Sequence, residues 1–455
     1  MSLESEYLDD SVDYFYETEE NIYEENVSDV LYNCVVPSLL SVWPVIFKLI
    51  GSSLTYGILT SLQLPSEYMY HIIASLSGIF MLTSLESNEA IIIFLGFALL
   101  SYPLLWIIDY IEKTTKTKSY NFIIPGIYIL TLVLCEHCFF EEEIWLQIRG
   151  ILMIFSMKLL SFIEVQKHTT VPNILEYFGY TLCGPNIIFG PWFSYQEYQK
   201  QFLNPTRKNW RWILGMFRAV VISLLFLTVS NCWTTFLIPD EFPNLLLSYR
   251  EALSVRTSHY FISYLAEASM LAAGFKNSKI WSDPTKWTYN IVNPVHVEFP
   301  NALATVVTNW NLPMHEFLKK HVYKPCLPHG KFIAILTTFI VSSFLHGFAL
   351  KVSVILLLLG VFSYIQLETR SFLCSAFSVC VKIYPCKECH HDNKRNSYTS
   401  MFIRFILSIL TVLHLIYVGV LLSPTTDTVG IWEKWNSLGY MSFWIMAFKL
   451  ALIKM

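Results

Sequence analysis

The stretch MFIRFILSILTVLHLIYVGVLL, residues 401–422, carries only one charged side chain, Arg404, and one that titrates near neutral pH, His414. A hydrocarbon core ~30 Å thick takes about 20 mostly apolar helical residues to cross, so this run is long enough to span one. Similar runs lie at about 34–62, 68–85, 90–108, 120–135, 144–163, 212–238, 258–275, 332–350, 352–366 and 439–453. The interrupted stretch 171–193 adds a partly embedded candidate. The expectation is an all-α, polytopic membrane protein with about ten to twelve transmembrane helices.

Composition agrees. Of 455 residues, 54% are hydrophobic and 15% are charged, against roughly 25% charged in an ordinary soluble domain. Mean hydropathy is +0.46. Soluble globular, fibrous and disordered classes are excluded, because so few charges cannot face that much chain with water. The net charge of −4 hides an asymmetry: residues 1–30 hold eleven acidic and no basic side chains, and the remainder is positive, 31 basic against 24 acidic. Residues 1–30 therefore read as an acidic solvated tail and 31–455 as one membrane domain. The tail has no positively charged start and no cleavage motif, so it is not read as a signal peptide. Asn26-Val27-Ser28 is a formal glycosylation sequon.

Basic clusters separate the apolar runs: Lys113, Lys116 and Lys118; Lys200, Arg207, Lys208 and Arg211; Lys382, Lys387, Lys394 and Arg395. Such loops favour the cytosol, although two marginal helices would invert the parity. Ten cysteines, several inside apolar runs, read as free thiols acting as small apolar residues rather than a disulfide framework.

The stretch 276–331 differs from the rest. It is broken by Pro284, Pro294, Pro300 and Pro313 and holds Trp281, Trp287 and Trp310. Irregular backbone at membrane depth survives only when buried in protein or lining a cavity, so this segment is expected to fold into the body of the molecule.

Ionisable groups within spans are costly and are functional candidates by default. They are Lys158, Glu267, His346, Lys351, Arg404, His414 and Lys449. For Lys158 and Arg404 the competing reading is snorkelling or pairing with a carboxylate such as Glu267. His346 ends Phe339-Ile340-Val341-Ser342-Ser343-Phe344-Leu345-His346-Gly347, with Ser342 and Ser343 on its helix face. It is either a core histidine bonded to Ser342 or a carbonyl, or a general base, since free imidazole (pKa ~6.5) is mostly neutral at pH 7. His414 lacks such polar companions in sequence. Asn309-Trp310-Asn311-Leu312-Pro313 reads as a turn or helix entry presenting amides.

No HExxH, P-loop or nucleophile-elbow motif is present. The loop Cys386-Lys387-Glu388-Cys389-His390-His391 resembles half a zinc site. No second pair follows at finger spacing, although Cys374 and Cys380 lie upstream, and a reduced, lipidated cysteine cluster competes with metal. No metal is assigned.

Asn311 followed by His346 in an apolar helix resembles the membrane-bound O-acyltransferase family, and within it the branch that lipidates Wnt proteins. The resemblance rests on Phe178-Gly179-Tyr180 with Phe189-Gly190-Pro191-Trp192-Phe193-Ser194, and on Ser258-His259-Tyr260-Phe261 through Glu267 to Ala273-Gly274-Phe275. It continues through Asn293-Pro294, Val297-Glu298 and Asn309-Trp310-Asn311-Leu312-Pro313-Met314 to Leu345-His346-Gly347. Weaker similarity, including Gln147-Ile148-Arg149-Gly150, extends over nearly the whole chain after the tail. Phe317 and His321 depart from the Trp and Tyr expected in the vertebrate-like pattern.

The resemblance implies helices around an internal tunnel, and protein-serine O-acylation in the endoplasmic reticulum membrane that enables Wnt secretion and signalling. It implies palmitoleoyl-CoA as donor and a Wnt serine as acceptor, membrane lipids around the chain, no nucleic-acid partner and no cofactor beyond the acyl-CoA. His346 and Asn311 would be catalytic; Trp310, Ser342, Ser343 and Glu298 would line the substrate.

Overall fold

The computed structural model describes residues 26–62, 66–115, 123–139, 141–166, 171–203, 208–276, 286–384, 386, 389–423, 426 and 429–454. Most of the acidic tail, and with it Trp281, Pro284, Lys116, Lys118, Arg207 and Lys387, lies outside them. The described residues are helical, with no β-strand and one isolated bridge between Val379 and Asn393.

The chain begins with α1 (Val27–Ser61), α2 (Glu67–Leu82), α3 (Asn88–Thr115), α4 (Ile123–Leu134) and α5 (Glu142–Gln166). Two short helices follow, α6 (Ile174–Thr181) and α7 (Tyr195–Leu203), then α8 (Trp210–Leu237) and α9 (Asn244–Ala272). The broken segment supplies α10 (Leu303–Trp310) and α11 (Leu312–Leu318). The chain closes with α12 (Lys331–Leu345), α13 (Leu350–Ala376), α14 (Tyr398–Leu422) and α15 (Met441–Lys454).

Among the described residues six helices are long and apolar enough to cross a membrane, within α1, α3, α5, α8, α13 and α14, and a bent pair ending in α15 raises this to seven. Several other apolar runs of the sequence form shorter helices, α2, α4 and α12 among them. The long α9 is more polar because its inner face carries Arg256, Thr257, Ser263, Glu267 and Ser269, all buried. Local chemistry marks several starts: Asn173 and Glu176 form a capping box on α6, and Asn209 and Ser397 cap α8 and α14.

Helix pairing sets the two faces. Lys48 donates to Thr83 at 2.8 Å and the Tyr56 and Tyr70 hydroxyls meet at 2.9 Å, so α1 and α2 are antiparallel. A Cβ on Gly78 of α2 would overlap the Leu182 carbonyl, which is why that backbone comes so close. Cys34 and Cys232 form a disulfide joining the start of α1 to the end of α8. Each sits in a π-helical turn, Leu31–Val35 and Val229–Trp233. This corrects the free-thiol reading for that pair: the partners are 198 residues apart and only packing brings them together. Gly419 of α14 faces Ala252 near the start of α9, so the end of α14 lies on the disulfide face.

The opposite face carries Lys113, Lys200, Lys208, Arg211, Lys382, Lys394 and Arg395. Lys208 reaches across it to the Gly57 carbonyl near the end of α1. All three basic clusters of the sequence thus have members on one face, which the positive-inside rule assigns to the cytosol. The disulfide falls on the other, where an oxidising compartment sustains it.

The buried cation Lys158 is structural. Its ammonium donates to the carbonyls of Tyr180 and Thr181 and to Asn186 Oδ1 at 2.9–3.1 Å, filling all three of its donors. Glu267 pairs with Arg218 at 3.1 Å, not with Lys158 or Arg404. Arg404 donates to the Ser400 and Arg395 carbonyls. These partners correct the pairing expected from sequence.

Candidate active site

Asn311 closes α10 and opens α11. Its Oδ1 accepts from Met314 N–H at 3.1 Å, the usual N-cap geometry ahead of a proline at the first turn. Oδ1 is therefore committed, whereas its Nδ2 makes no hydrogen bond among the described residues and remains a donor. Asn309 is different: its amide bridges Asn293 Nδ2 and the Thr305 carbonyl, which ties the turn together. The flanking backbone is anchored too, since Leu312 N–H donates to the Ile291 carbonyl at 2.8 Å.

His346 lies just past the end of α12, where the apolar run 332–350 was expected to continue as helix. Gly347 has φ +78° and Phe348 φ +64°. Phe348 N–H donates to Ser343 O and Gly347 N–H to Phe344 O, both at 3.0 Å. This is a Schellman stop, with glycine at the left-handed position. The Leu345-His346-Gly347 motif is thus a helix terminator that turns the imidazole out of the stack. That imidazole makes no hydrogen bond among the described residues, so the core-histidine reading, with its bond to Ser342 or a carbonyl, is not what is observed. A Cβ on Gly347 would stand 2.8 Å from both Glu136 Oε2 and Trp145 Cζ2. Glu136 Oε2 is buried without a partner among the described residues. Burial pushes the Glu136 carboxyl up, while the Arg149 guanidinium pulls it down.

Chain neighbours of the two candidate catalytic residues share one apolar cluster. Met314 and Phe317 of α11, Trp192, Met157 and Leu345 of α12 belong to it. Phe317, one of the sequence departures, packs edge-on against Trp192 at 5.1 Å, and His321 lies 4.7 Å from Phe317.

The other expected substrate residues are placed differently. Glu298 is engaged by Arg256, with Nε–Oε1 2.8 Å and Nη2–Oε2 2.9 Å, and by Tyr260 OH at 2.6 Å. Both carboxylate oxygens accept hydrogen bonds, so it braces the broken segment against α9. Ser343 is buried with its hydroxyl on the Phe339 carbonyl, and Ser342 is also buried. Trp310 is partly exposed and stacks on His259. His414 has companions after all, Ser442 at 2.5 Å and Lys449 at 3.0 Å, both on α15. Its ring packs on Phe362 at 5.5 Å, in a different apolar cluster from Leu345.

Arg256, His259 and Glu136 were not singled out in the sequence. Arg256 and Tyr260 are four residues apart, a spacing that puts them on one helix face, and His259 adjoins them. Glu136 sits in a polar break between Cys135 and Cys138 and gave no signal.

A profile described as MBOAT, membrane-bound O-acyltransferase family, matches residues 108–378. The chain belongs to the membrane-bound O-acyltransferase family; it is an acyltransferase, built as a multi-pass helical membrane protein. It is similar along most of its length to proteins named protein-serine O-palmitoleoyltransferase porcupine. The Anopheles gambiae protein is 30% identical, with 93% of each chain covered. The Homo sapiens protein is 28% identical, covering 93% of this chain and 96% of that protein. A lysophospholipid acyltransferase of Schizosaccharomyces pombe is 26% identical but covers 39% of this chain and 40% of its own.

Proposed function

We propose that this protein is a protein-serine O-palmitoleoyltransferase that moves a palmitoleoyl group from palmitoleoyl-CoA to a serine of Wnt proteins in the endoplasmic reticulum membrane, enabling Wnt secretion and signalling. The observation that carries the reading is end-to-end similarity, 93% of the chain, to proteins bearing that name. The lysophospholipid acyltransferase match covers 39% and favours a shared reaction without a shared acceptor.

The chemistry follows from the site. A serine hydroxyl is a poor nucleophile at neutral pH and needs a base within hydrogen-bond reach. The His346 imidazole, which makes no hydrogen bond among the described residues, takes the serine proton as the oxygen attacks the thioester carbonyl. The C–S bond breaks, an O-ester forms, and CoA leaves as the thiol once the proton is returned. Such a base contributes ~10²–10⁴-fold. Asn311 Nδ2 donates to the thioester carbonyl oxygen or orients the donor. Trp310 and neighbouring apolar faces line a tunnel that holds the acyl chain and excludes water, which would otherwise hydrolyse the thioester. The acyl-CoA is already activated, so the step needs no metal or redox cofactor. CoA enters from the cytosolic face and the Wnt hairpin from the lumenal one.

The test is ester formation on a Wnt hairpin peptide by membranes carrying the wild type, His346→Ala or His414→Ala at matched expression, with palmitoleoyl-CoA as donor. Transfer lost with His346→Ala and kept with His414→Ala is the expected result. Transfer without His346 overturns the base assignment. A wild type that acylates lysophospholipid and not the peptide overturns the acceptor.

A further inference from the structure

The loop between α13 and α14 brings together four side chains that the acyl-transfer chemistry does not use. Its neck is tied by backbone: Cys380 N–H donates to Asn393 O at 2.9 Å and Asn393 N–H to Ser378 O at 3.0 Å. Asp392 N–H donates to Ser378 Oγ at 2.9 Å, and Cys380 N–H also reaches Ser400 Oγ at 3.3 Å. Arg370 of α13 holds the Val381 carbonyl at 2.7 Å. Val379 and Val381 are buried with Cys374, and the partly buried Ile403 packs against them. This neck places Cys380, itself buried, opposite His391, and folds Cys386 and Cys389 back over both.

The donor atoms of Cys380, Cys386, Cys389 and His391 all lie within 4.8 Å of one another. Cys380 Sγ stands 3.8 Å from Cys386 Sγ, and Cys389 Sγ stands 3.4 Å from His391 Nδ1. A tetrahedron with Zn–S bonds of ~2.3 Å has S···S edges of about 3.8 Å, and with Zn–N of ~2.0–2.1 Å its S···N edges are about 3.6 Å. The two spacings above lie within about 0.2 Å of those edges. Three thiolates and one imidazole form a structural zinc donor set, and soft sulfur in a tetrahedron disfavours magnesium and calcium. The alternative for paired thiols is a disulfide. Lys382, Lys394 and Arg395 put this loop on the cytosolic face, where thiols stay reduced. Cys374 belongs to the apolar cluster beneath and not to the donor set.

We propose that Cys380, Cys386, Cys389 and His391 bind one structural Zn²⁺ ion that clamps the cytosolic end of α13 to the start of α14. The ion ties the loop to helices whose middle positions Gln366, the acceptor of Leu303 N–H at 3.0 Å that starts α10. Its role is in folding, since binding energy at such a site is folding energy.

The test uses the full-length protein purified from membranes in detergent without chelator or added metal. Elemental analysis gives about one zinc per chain, and zinc-edge absorption shows three sulfurs near ~2.3 Å and one nitrogen near ~2.0–2.1 Å. Cys386→Ser and Cys389→Ser lower the zinc content roughly tenfold or more. Cys326→Ser, outside the donor set, leaves it unchanged, and His391→Cys keeps the metal with a four-sulfur shell. Should the serine variants fail to accumulate, the absorption spectrum of the wild type decides alone. A metal-free wild type, zinc indifferent to Cys386 and Cys389, an acyl adduct on either cysteine, or a Cys380–Cys386 disulfide each overturns the proposal. The readout is metal content, so it stands or falls independently of the acyl acceptor.

Discussion

The His259 imidazole lies flat on the Trp310 indole, with centroids 4.2 Å apart and planes 4° apart, and its Nε2 is 3.0 Å from the Trp310 carbonyl oxygen. Asn311 is the next residue, so α9 grips the turn that presents its amide. His259→Ala removes the stack and the hydrogen bond together. The expected outcome is a fall in kcat on the order of 10–100-fold, the usual cost of small misplacement, with little change in the peptide KM. His259→Phe, which keeps a ring but not the hydrogen bond, should fall between. Initial rates at matched expression check this. An Ala variant with wild-type kcat would make the stack irrelevant to chemistry.

Gly347 is required twice. Its φ of +78° costs an L-residue about 1–2 kcal/mol, and a Cβ there meets Glu136 and Trp145. Gly347→Ala should lower thermal stability in detergent and remove most transfer, because the turn that aims His346 must shift. Full activity in this variant would mean the imidazole tolerates another exit from α12.

Arg256 is buried and paired with Glu298, whose side chain is 21% exposed. Removing one partner of a buried pair costs about 3–5 kcal/mol, and partial exposure puts Glu298→Gln at the lower end of that range. Replacing both by apolar residues should recover much of the loss, since neither charge is then stranded. Melting temperatures of the two singles and the double give the coupling. Additive losses would show that the pair is not one unit.

Glu136 sits beyond the end of α4, with its carboxyl pushed up chiefly by burial. A folded value above the unfolded one means that the folded state binds more protons between the two. Stability therefore falls as pH rises through that window, and the buried charge is a cost at neutral pH. Glu136→Gln should raise the melting temperature at pH 7 and flatten its dependence over the acid range. An unchanged pH slope would locate the dependence in another group.

Much of the protein was legible in the primary structure because the relevant properties are local. Whether a run such as 401–422 is long and apolar enough to span a membrane depends on its own residues. A histidine followed by glycine at the end of an apolar run is likewise visible, though reading it as mid-helix missed the left-handed stop at Gly347 and Phe348. Partner choice was not legible. Cys34 and Cys232, Arg256 and Glu298, His259 and Trp310, and His414 with Lys449 are each brought together by packing of helices distant in sequence.

Sequence alone settled the membrane class, the apolar periodicity and the acidic and basic segregation, because the cost of placing charge in hydrocarbon acts residue by residue. It also carried the family resemblance, through Asn311 and His346 in their motifs. Tertiary structure decided which buried charges are structural, that all three basic clusters have members on one face, and that Glu298 pairs with Arg256 and Tyr260. It also decided that the donor atoms of three cysteines and a histidine of one loop lie within 4.8 Å of one another. Those outcomes depend on geometry between elements, where a hydrogen bond or a metal shell tolerates only a few tenths of an ångström, and spacing along a chain does not specify distance across a fold.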